Sequence, residues 1–530
     1  MDRINGIANS WTESQNTVNG DLKVGIASLP VEVLGPIFLL AHASAYESRP
    51  VPLNRAELAM AAVCRQWRNL ALSFTALWST FRCIKPACDS VQQMKRERKR
   101  LELYLKRSGN SGLDLEFEFN ALPPKSALWK TWAPLLNCAI KHAHRWARFA
   151  IKSDGVAPRL YLVPLEALQA PRLESLEIHA GTWDDWQWQT QYNRTRIFAS
   201  WETLSENQFG PPQGASPLQL RLDISAAALA LPSLQSLVHF NLEPGVATAH
   251  PVNTYPIFLL VIQLPTIESI SVWCEDQTTS VQSIHGLANA NDFRPVHANY
   301  LRHLRVGGDA TTTYCSAFGL VAQRLIAPRL ESLTIQGAQL GYIVASNDHR
   351  ANALPHPGYS FPSLHTLHLI NISFLRELLV WDSYPSLFST LIARTRNASA
   401  LTFMMQPGVF RPLDPNLRLE LQGYATDIHR HRLCPTARIL TLDAPSGIFK
   451  PSDPVGLEYW PNIDQLLLPP PTETAPWPSQ EQLERAGRNV TVLARTELGH
   501  KRWPPIACNS WGAASAPDDE RWHTFERNVL

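Results

Sequence analysis

The chain has 530 residues, with 48 basic against 46 acidic side chains and a formal charge of +2. That length exceeds what one compact core holds, so it predicts either several domains or one elongated repeat structure. The near-balanced charge supplies no global field for nucleic acid or an anionic membrane surface, and a hydrophobic fraction of 45% excludes a mainly disordered chain.

Residues 1–25 are polar and contain no apolar core ahead of a small-residue cleavage site, so they read as a disordered leader without a secretory signal. The protein is therefore expected inside the cell, cytoplasmic or nuclear. The longest apolar run, Pro256 to Leu264, is about half of a bilayer crossing and reads as a buried strand or helix. Eight dispersed cysteines do not make a disulfide framework in a chain of this size, and reduced thiols are the expectation.

Two amphipathic helices are predicted between Ser28 and Thr80. Pro30 suits an opening turn, Glu32 faces the positive end of the dipole, and Val33, Leu34, Ile37, Phe38 and Ala41 follow at one-face spacing. Pro36 is a candidate kink within this helix. Arg49-Pro-Val-Pro-Leu-Asn54 ends it, and a second helix starts near Arg55 with a stripe of Leu58, Ala62, Val63, Trp67, Leu70 and Ala71. A further helix over Ser90 to Ser108 presents Met94, Leu101 and Leu105 on one side and seven Lys/Arg over the rest. After a Gly-rich stop, Leu113, Leu115, Phe117 and Phe119 alternate with acidic residues as a half-buried strand does.

From about residue 144 a run recurs: an apolar residue, two others, a second apolar residue, one more, then a third, usually with proline two places ahead. It occurs as Pro171 with Leu173, Leu176 and Ile178, and as Pro328 with Leu330, Leu333 and Ile335. Other copies are Pro232 with Leu234 and Leu237; Pro265 with Ile267, Ile270 and Val272; Leu301, Leu304 and Val306; Pro362 with Leu364, Leu367 and Leu369; and Pro461 with Ile463, Leu466 and Leu468. Weaker copies are Trp146, Phe149 and Ile151, and Ala437, Leu440 and Leu442. First positions lie 26 to 34 residues apart, except for two doubled gaps, 173 to 234 and 364 to 437, each with room for a degenerate copy. A period in this range indicates stacked supersecondary units that bury a shared core. Residues 179–216 and 275–298 are expected as long inserts, Gln480 to Arg488 as a helix and Val490 to Leu493 as a final strand. Beyond Trp503-Pro-Pro505 the chain is expected to be poorly ordered.

The repeats resemble leucine-rich repeats, although the asparagine position is Gly181, Ala338 or Ile372 and the period exceeds the usual ~20–29 residues. The N-terminal wording, Leu29-Pro30-Val-Glu32-Val-Leu34-Gly-Pro-Ile37-Phe38, then Val63-Cys64-Arg65-Gln-Trp67-Arg68, then Leu77-Trp78, resembles the F-box of fungal F-box proteins with irregular leucine-rich C-terminal regions. The resemblance implies an α/β chain with an F-box at 28–80, an irregular leucine-rich-repeat-like solenoid of strands and helices at 90–495 and a tail at 496–530. It further implies a non-enzymatic substrate receptor that docks on a Skp-type adaptor, and through it a cullin–RING ubiquitin ligase, while the repeats select a target protein. The matching adaptor-binding residues are Leu29, Pro30, Glu32, Leu34, Ile37, Phe38, Val63, Cys64, Trp67 and Arg68. A plain repeat scaffold, with the helices as a cap, is the alternative.

Other motifs are weaker. Lys95-Arg-Glu-Arg-Lys-Arg100 fits a solvated helix face better than a phosphate grip or an import signal. His142 and His144, like His429 and His431, lack a partner ligand at metal-site spacing, and Asp184-Asp185 among Trp183, Trp186 and Trp188 lacks a catalytic scaffold. No phosphate loop, Gly-x-Ser-x-Gly or Cys-x-x-Cys is present, so no cofactor, metal or enzymatic chemistry is expected.

Overall fold

In a computed structural model of the chain, the residues described are 29–47, 55–83, 90–119, 129–153, 165, 168–179, 218–223, 226, 234–243, 255–274, 295–308, 321, 324–336, 361–370, 391, 394–404, 436–443, 462–468, 479–485 and 489–494. The leader, the tail, both expected inserts in their greater part, His429, His431 and the Trp183–Trp188 cluster lie outside these residues.

Three helices open the described chain: α1 (Val31–Glu47), α2 (Ala56–Val63) and α3 (Arg65–Ser73). Helix α1 runs through Pro36 without a break in its assignment. The single second helix expected from Arg55 onward is instead two, because Cys64 is extended at φ −155° and ψ 174°. Its sulfur accepts a hydrogen bond from the Trp67 amide at 3.4 Å and so caps α3. This break turns the expected stripe: Leu70 and Ala71 are buried, whereas Leu58, Ala62 and Val63 point outward.

A 3₁₀ turn, Thr75–Trp78, leads into strand β1 (Thr80–Cys83). Helix α4 (Val91–Arg107) follows, capped by Ser90, whose hydroxyl oxygen accepts from the Gln93 amide at 3.2 Å. Met94, Leu101 and Leu105 are buried as the spacing predicts, and so are Glu97 and Tyr104. Gly109 ends this segment at φ +55°, a left-handed position that suits glycine. Strand β2 (Leu113–Phe119) is buried on both faces, not on one: Glu116 is as enclosed as the phenylalanines beside it. Helix α5 (Trp129–Ile140) was not visible in the sequence, where Pro134 argues against a helix interior.

From there the counted runs become strands: β3 (Trp146–Ser153), β4 (Ser175–His179), β5 (Gln219–Asp223), β6 (His239–Glu243), β7 (Ser269–Cys274), β8 (Val296–His297), β9 (His303–Gly308), β10 (Leu325–Ile326), β11 (Ser332–Gln336), β12 (Thr366–Ile370), β13 (Ala400–Met404), β14 (Ile439–Asp443), β15 (Gln465–Leu468) and β16 (Thr491–Ala494). Each doubled gap holds one degenerate copy, β5 in the first and β13 in the second. The copy after Pro232 is displaced by three residues: its strand positions are Phe240 and Leu242, with Leu237 ahead of them. Short helices α6 (Tyr255–Ile262) and α7 (Gln480–Arg485) complete the elements, α6 being the buried form of the longest apolar run.

Fourteen strands form one parallel sheet in chain order from β1 to β16, with β8 and β10 pairing separately. The molecule is thus α/β, with few helices against a large parallel sheet. The register brings Phe81, Leu115, Phe149, Leu176, Leu220 and Phe240 into one row, which continues through Ile270, Leu304, Leu333, Leu367, Leu401, Leu440 and Leu466 to Val492. Residues two places further on make a second row on the same side, because side chains alternate along a strand. Each fully buried member contributes ~1.5–3 kcal/mol relative to exposure. Serine or threonine after the repeat proline ties layer to layer: the hydroxyls of Thr266, Ser363 and Thr436 donate to Leu237, Pro328 and Arg396 carbonyls at 2.7, 2.9 and 2.7 Å.

The candidate docking surface and the polar face of the sheet

Helix α1 carries two adjoining stripes. Leu34, Phe38 and His42 recur at four-residue spacing and are buried, while Val33, Ile37 and Leu40 lie on the neighbouring stripe and are exposed. Leu34 and Phe38 are 0% and 1% exposed, against 38% for Ile37 and 71% for Leu40. Phe38 meets the Trp67 ring edge-on at 4.9 Å, so both hold α1 against α3. Gly35 permits the close approach of α1 to the turn after α3, since a Cβ there would sit 2.5 Å from the Phe74 ring.

The remaining residues of the F-box-like wording divide in the same way. Leu29 packs against the core, and Pro30 and Glu32 are exposed at the start of α1, where the Pro30 carbonyl accepts from the Leu34 amide at 3.0 Å. Val63 is 61% exposed at the end of α2. Cys64 is the cap of α3, Trp67 is half-buried, and Arg68 is exposed with its Nε donating to the Ala61 carbonyl at 2.9 Å. The structure therefore brings Ile37 and Val63 to the surface, and leaves Leu34 and Phe38 as the packing beneath. Val33, Leu40 and Leu58 join the exposed set; one-face spacing cannot separate them from the inward stripe.

Behind this surface the helices are fastened to the sheet. The Tyr104 hydroxyl donates to Glu57, which is fully buried, and His42 Nε2 lies 3.9 Å from the same carboxylate. Burial pushes the His42 pKa down and outweighs the pull of Glu57. Arg55 reaches Glu97 at 3.4 Å, Arg100 lies over the Phe81 ring at 4.1 Å, and Arg107 over Trp78 at 4.2 Å. Trp78 Nε1 donates to the Ala71 carbonyl at 2.8 Å, and Trp146 Nε1 repeats this bond to Ala139 at 3.2 Å, in each case seven residues back. The Trp78, Phe81, Cys83 spacing matches Trp146, Phe149, Ile151, so the end of the F-box-like segment is also the first copy of the repeat.

No family model and no curated protein matches the chain.

The opposite side of the sheet is polar and graded. On β1 to β6, Glu116 lies 2.9 Å from Lys152 and 3.1 Å from Arg82, and Glu177 lies within 3.1–3.5 Å of Lys152, His179, Arg148 and Arg221. Glu243 pairs with Arg221 and sits 3.6 Å from His179. Burial raises the Glu177 pKa, but Lys152, Arg221 and His179 outweigh it and hold the carboxyl well below its ordinary range. Further along the carboxylates give way to neutral groups around one buried cation: His239 Nδ1 meets the Ser269 hydroxyl at 2.8 Å, Arg305 on β9 donates from Nε to the Ser271 hydroxyl at 2.8 Å, and Ser332, Thr334 and Gln336 line β11. Asn241 Oδ1, Ser332 Oγ and both amide atoms of Gln336 are buried without a hydrogen-bond partner. His142 and His144 lie with ring centres 6.3 Å apart, and no metal-binding group of three or more His, Cys, Asp or Glu occurs among the described residues. Nor, among them, is any helix long and apolar enough to cross a membrane.

Proposed function

We propose that this chain is the substrate-receptor subunit of a cullin–RING ubiquitin ligase, docking on a Skp-type adaptor through α1–α3 and holding a target protein with a leucine-rich-repeat-like solenoid formed by the strands. One observation carries the reading. Of the twelve large hydrophobic residues exposed by more than a third among the described residues, eight lie between Val31 and Leu72. An apolar surface concentrated on one small helical unit, over a well-packed interior, is the signature of a protein-docking face. Covering the exposed fractions of Ile37, Leu40 and Val63, which are 38%, 71% and 61%, contributes roughly 0.5–2 kcal/mol each before ordering costs, so the affinity is shared with the other exposed residues of the patch.

The scaffold alternative draws support from the continuity of α3 and β1 with the sheet. Capping and docking use opposite sides of the same helices, so the exposed side decides between them. The deciding measurement is binding of purified Skp-type adaptor to the full chain and to Ile37→Asp/Val63→Asp. Both positions are exposed, so the variant is expected to keep the wild-type melting temperature and lose at least tenfold in affinity. Equal binding by the two proteins, or none by either, overturns docking through this surface. Phe38 is unsuited to the test, because a charge at a buried position unfolds the unit.

A further inference from the structure

Helix α4 has two opposite sides. Met94, Glu97, Leu101, Tyr104 and Leu105 are buried, and Glu97 and Tyr104 make the contacts to Arg55 and Glu57 at the start of α2. At ~100° per residue, the exposed residues Gln92, Lys95, Arg96, Lys99, Leu103 and Lys106 fall together on the far side. This outward face is directed away from Ile37, Leu40 and Val63 and is a second surface. Lys95, Arg96, Lys99 and Lys106 have no ion pair, hydrogen bond or ring contact among the described residues. Both acids of the helix are engaged elsewhere, Glu97 by Arg55 and Arg100, and Glu102 by Arg98 at 2.9 Å. Lys95 and Lys99 are four residues apart and Arg96 and Lys99 three, spacings at which like charges repel across a helix surface. Among these cations lies Leu103, 39% exposed, four residues after Lys99 and three before Lys106.

We propose that this outward face binds an acidic segment of a separate protein, its carboxylates lying over Lys95, Arg96, Lys99 and Lys106 and an apolar side chain of the same segment covering Leu103. The pattern favours such a segment over two other anionic partners. Nucleic acid binds through its phosphates and, in single strands, through aromatic stacking, and an exposed leucine adds to neither. A membrane surface takes up a continuous apolar helix face, whereas here one leucine stands among charges. Opposite charge around an apolar contact steers the encounter and is screened by salt. The inference does not rest on the docking reading above, since it concerns the other side of α4.

The test measures fluorescence anisotropy of the full chain with a labelled glutamate peptide interrupted by leucine, and with the same peptide carrying serine for leucine. The leucine peptide is expected to bind at low salt at least threefold more tightly than the serine peptide, and to be released near 1 M salt. Lys95→Gln/Lys99→Gln is expected to weaken it at least tenfold, and Leu103→Ser to abolish the preference for leucine. Because the two lysines repel each other, their neutralisation should leave the urea midpoint unchanged or raised. A lowered midpoint, equal binding of the two peptides by the unaltered chain, or binding of neither overturns the proposal. Tighter binding of oligouridine or of phosphatidylserine vesicles than of the leucine peptide also overturns it and reassigns the face to phosphate.

Discussion

Glu57 shows how one residue ties the N-terminal helices to the rest of the molecule. It sits in the first turn of α2, where the dipole favours a carboxylate, yet it is fully buried and receives the hydroxyl of Tyr104 from α4. A buried carboxylate deprived of a donor keeps its desolvation cost, so Tyr104→Phe is expected to lower stability by about 1–3 kcal/mol. Urea unfolding of the two proteins checks this, and an unchanged midpoint would remove Tyr104 from the junction. Neither partner was legible as a pair in the sequence, since 47 residues separate them and each sits in an ordinary amphipathic pattern. Leu34, Ile37 and Phe38 were legible as a stripe, but spacing gives direction only to within a helix quadrant. Which of them meets the core depends on Gly35, whose missing side chain lets α1 settle onto Phe74. Cys64 is the other residue that spacing could not reveal: its extended backbone divides one expected helix into two and turns Val63 outward.

At the scale of the elements, the strands were the most legible part of the chain, because apolar rows at a spacing of two and three survive even where the repeat is degenerate. The charge on the other face was not legible, since polar residues there look like ordinary solvent-facing ones until the register stacks them. Four histidines lie on that face among the described residues, and His179 and His239 are tuned in opposite directions. His179 is lowered by burial but raised more by Glu243 and Glu177, so its contribution is complete below pH 6.5 and is lost as pH rises through its elevated value. His239 is lowered to about 4 by burial and by His303. Its folded form therefore binds fewer protons than the unfolded chain between 6.5 and 4, and its contribution drains away as pH falls across that interval. The shift corresponds to about 3 kcal/mol. His239→Gln is expected to flatten the acid side of the stability–pH curve, as followed by urea midpoints at pH 7, 6, 5 and 4. A curve parallel to that of the unaltered chain would show that His239 titrates alike in both states.

For the whole molecule, the resemblance to an F-box suggests a separable module at 28–80, whereas the strand pairing makes its last residues part of the sheet. Strand β1 pairs with β2 along Thr80–Cys83, and α2 leans on α4 through Glu57 and Arg55. A fragment of residues 29–83 is accordingly expected to lack a cooperative unfolding transition by circular dichroism, while the full chain keeps one. A sharp transition in the fragment would show that the helices fold without the sheet. By the same pairing, a piece beginning at residue 120 would strip β2 from the edge of β3, so the proposed target binding is tested on the full chain carrying Ile37→Asp/Val63→Asp.

The unbroken parallel stack also sets a length. Strands in a sheet are spaced ~4.8 Å apart, so fourteen of them, paired neighbour to neighbour, measure about 60 Å from β1 to β16. The chain is in this sense a ruler whose graduations are hydrogen-bonded steps. Changes in the loops between strands can alter what is displayed at each mark, but only the gain or loss of a whole step can alter how far a given mark stands from the helices at the origin.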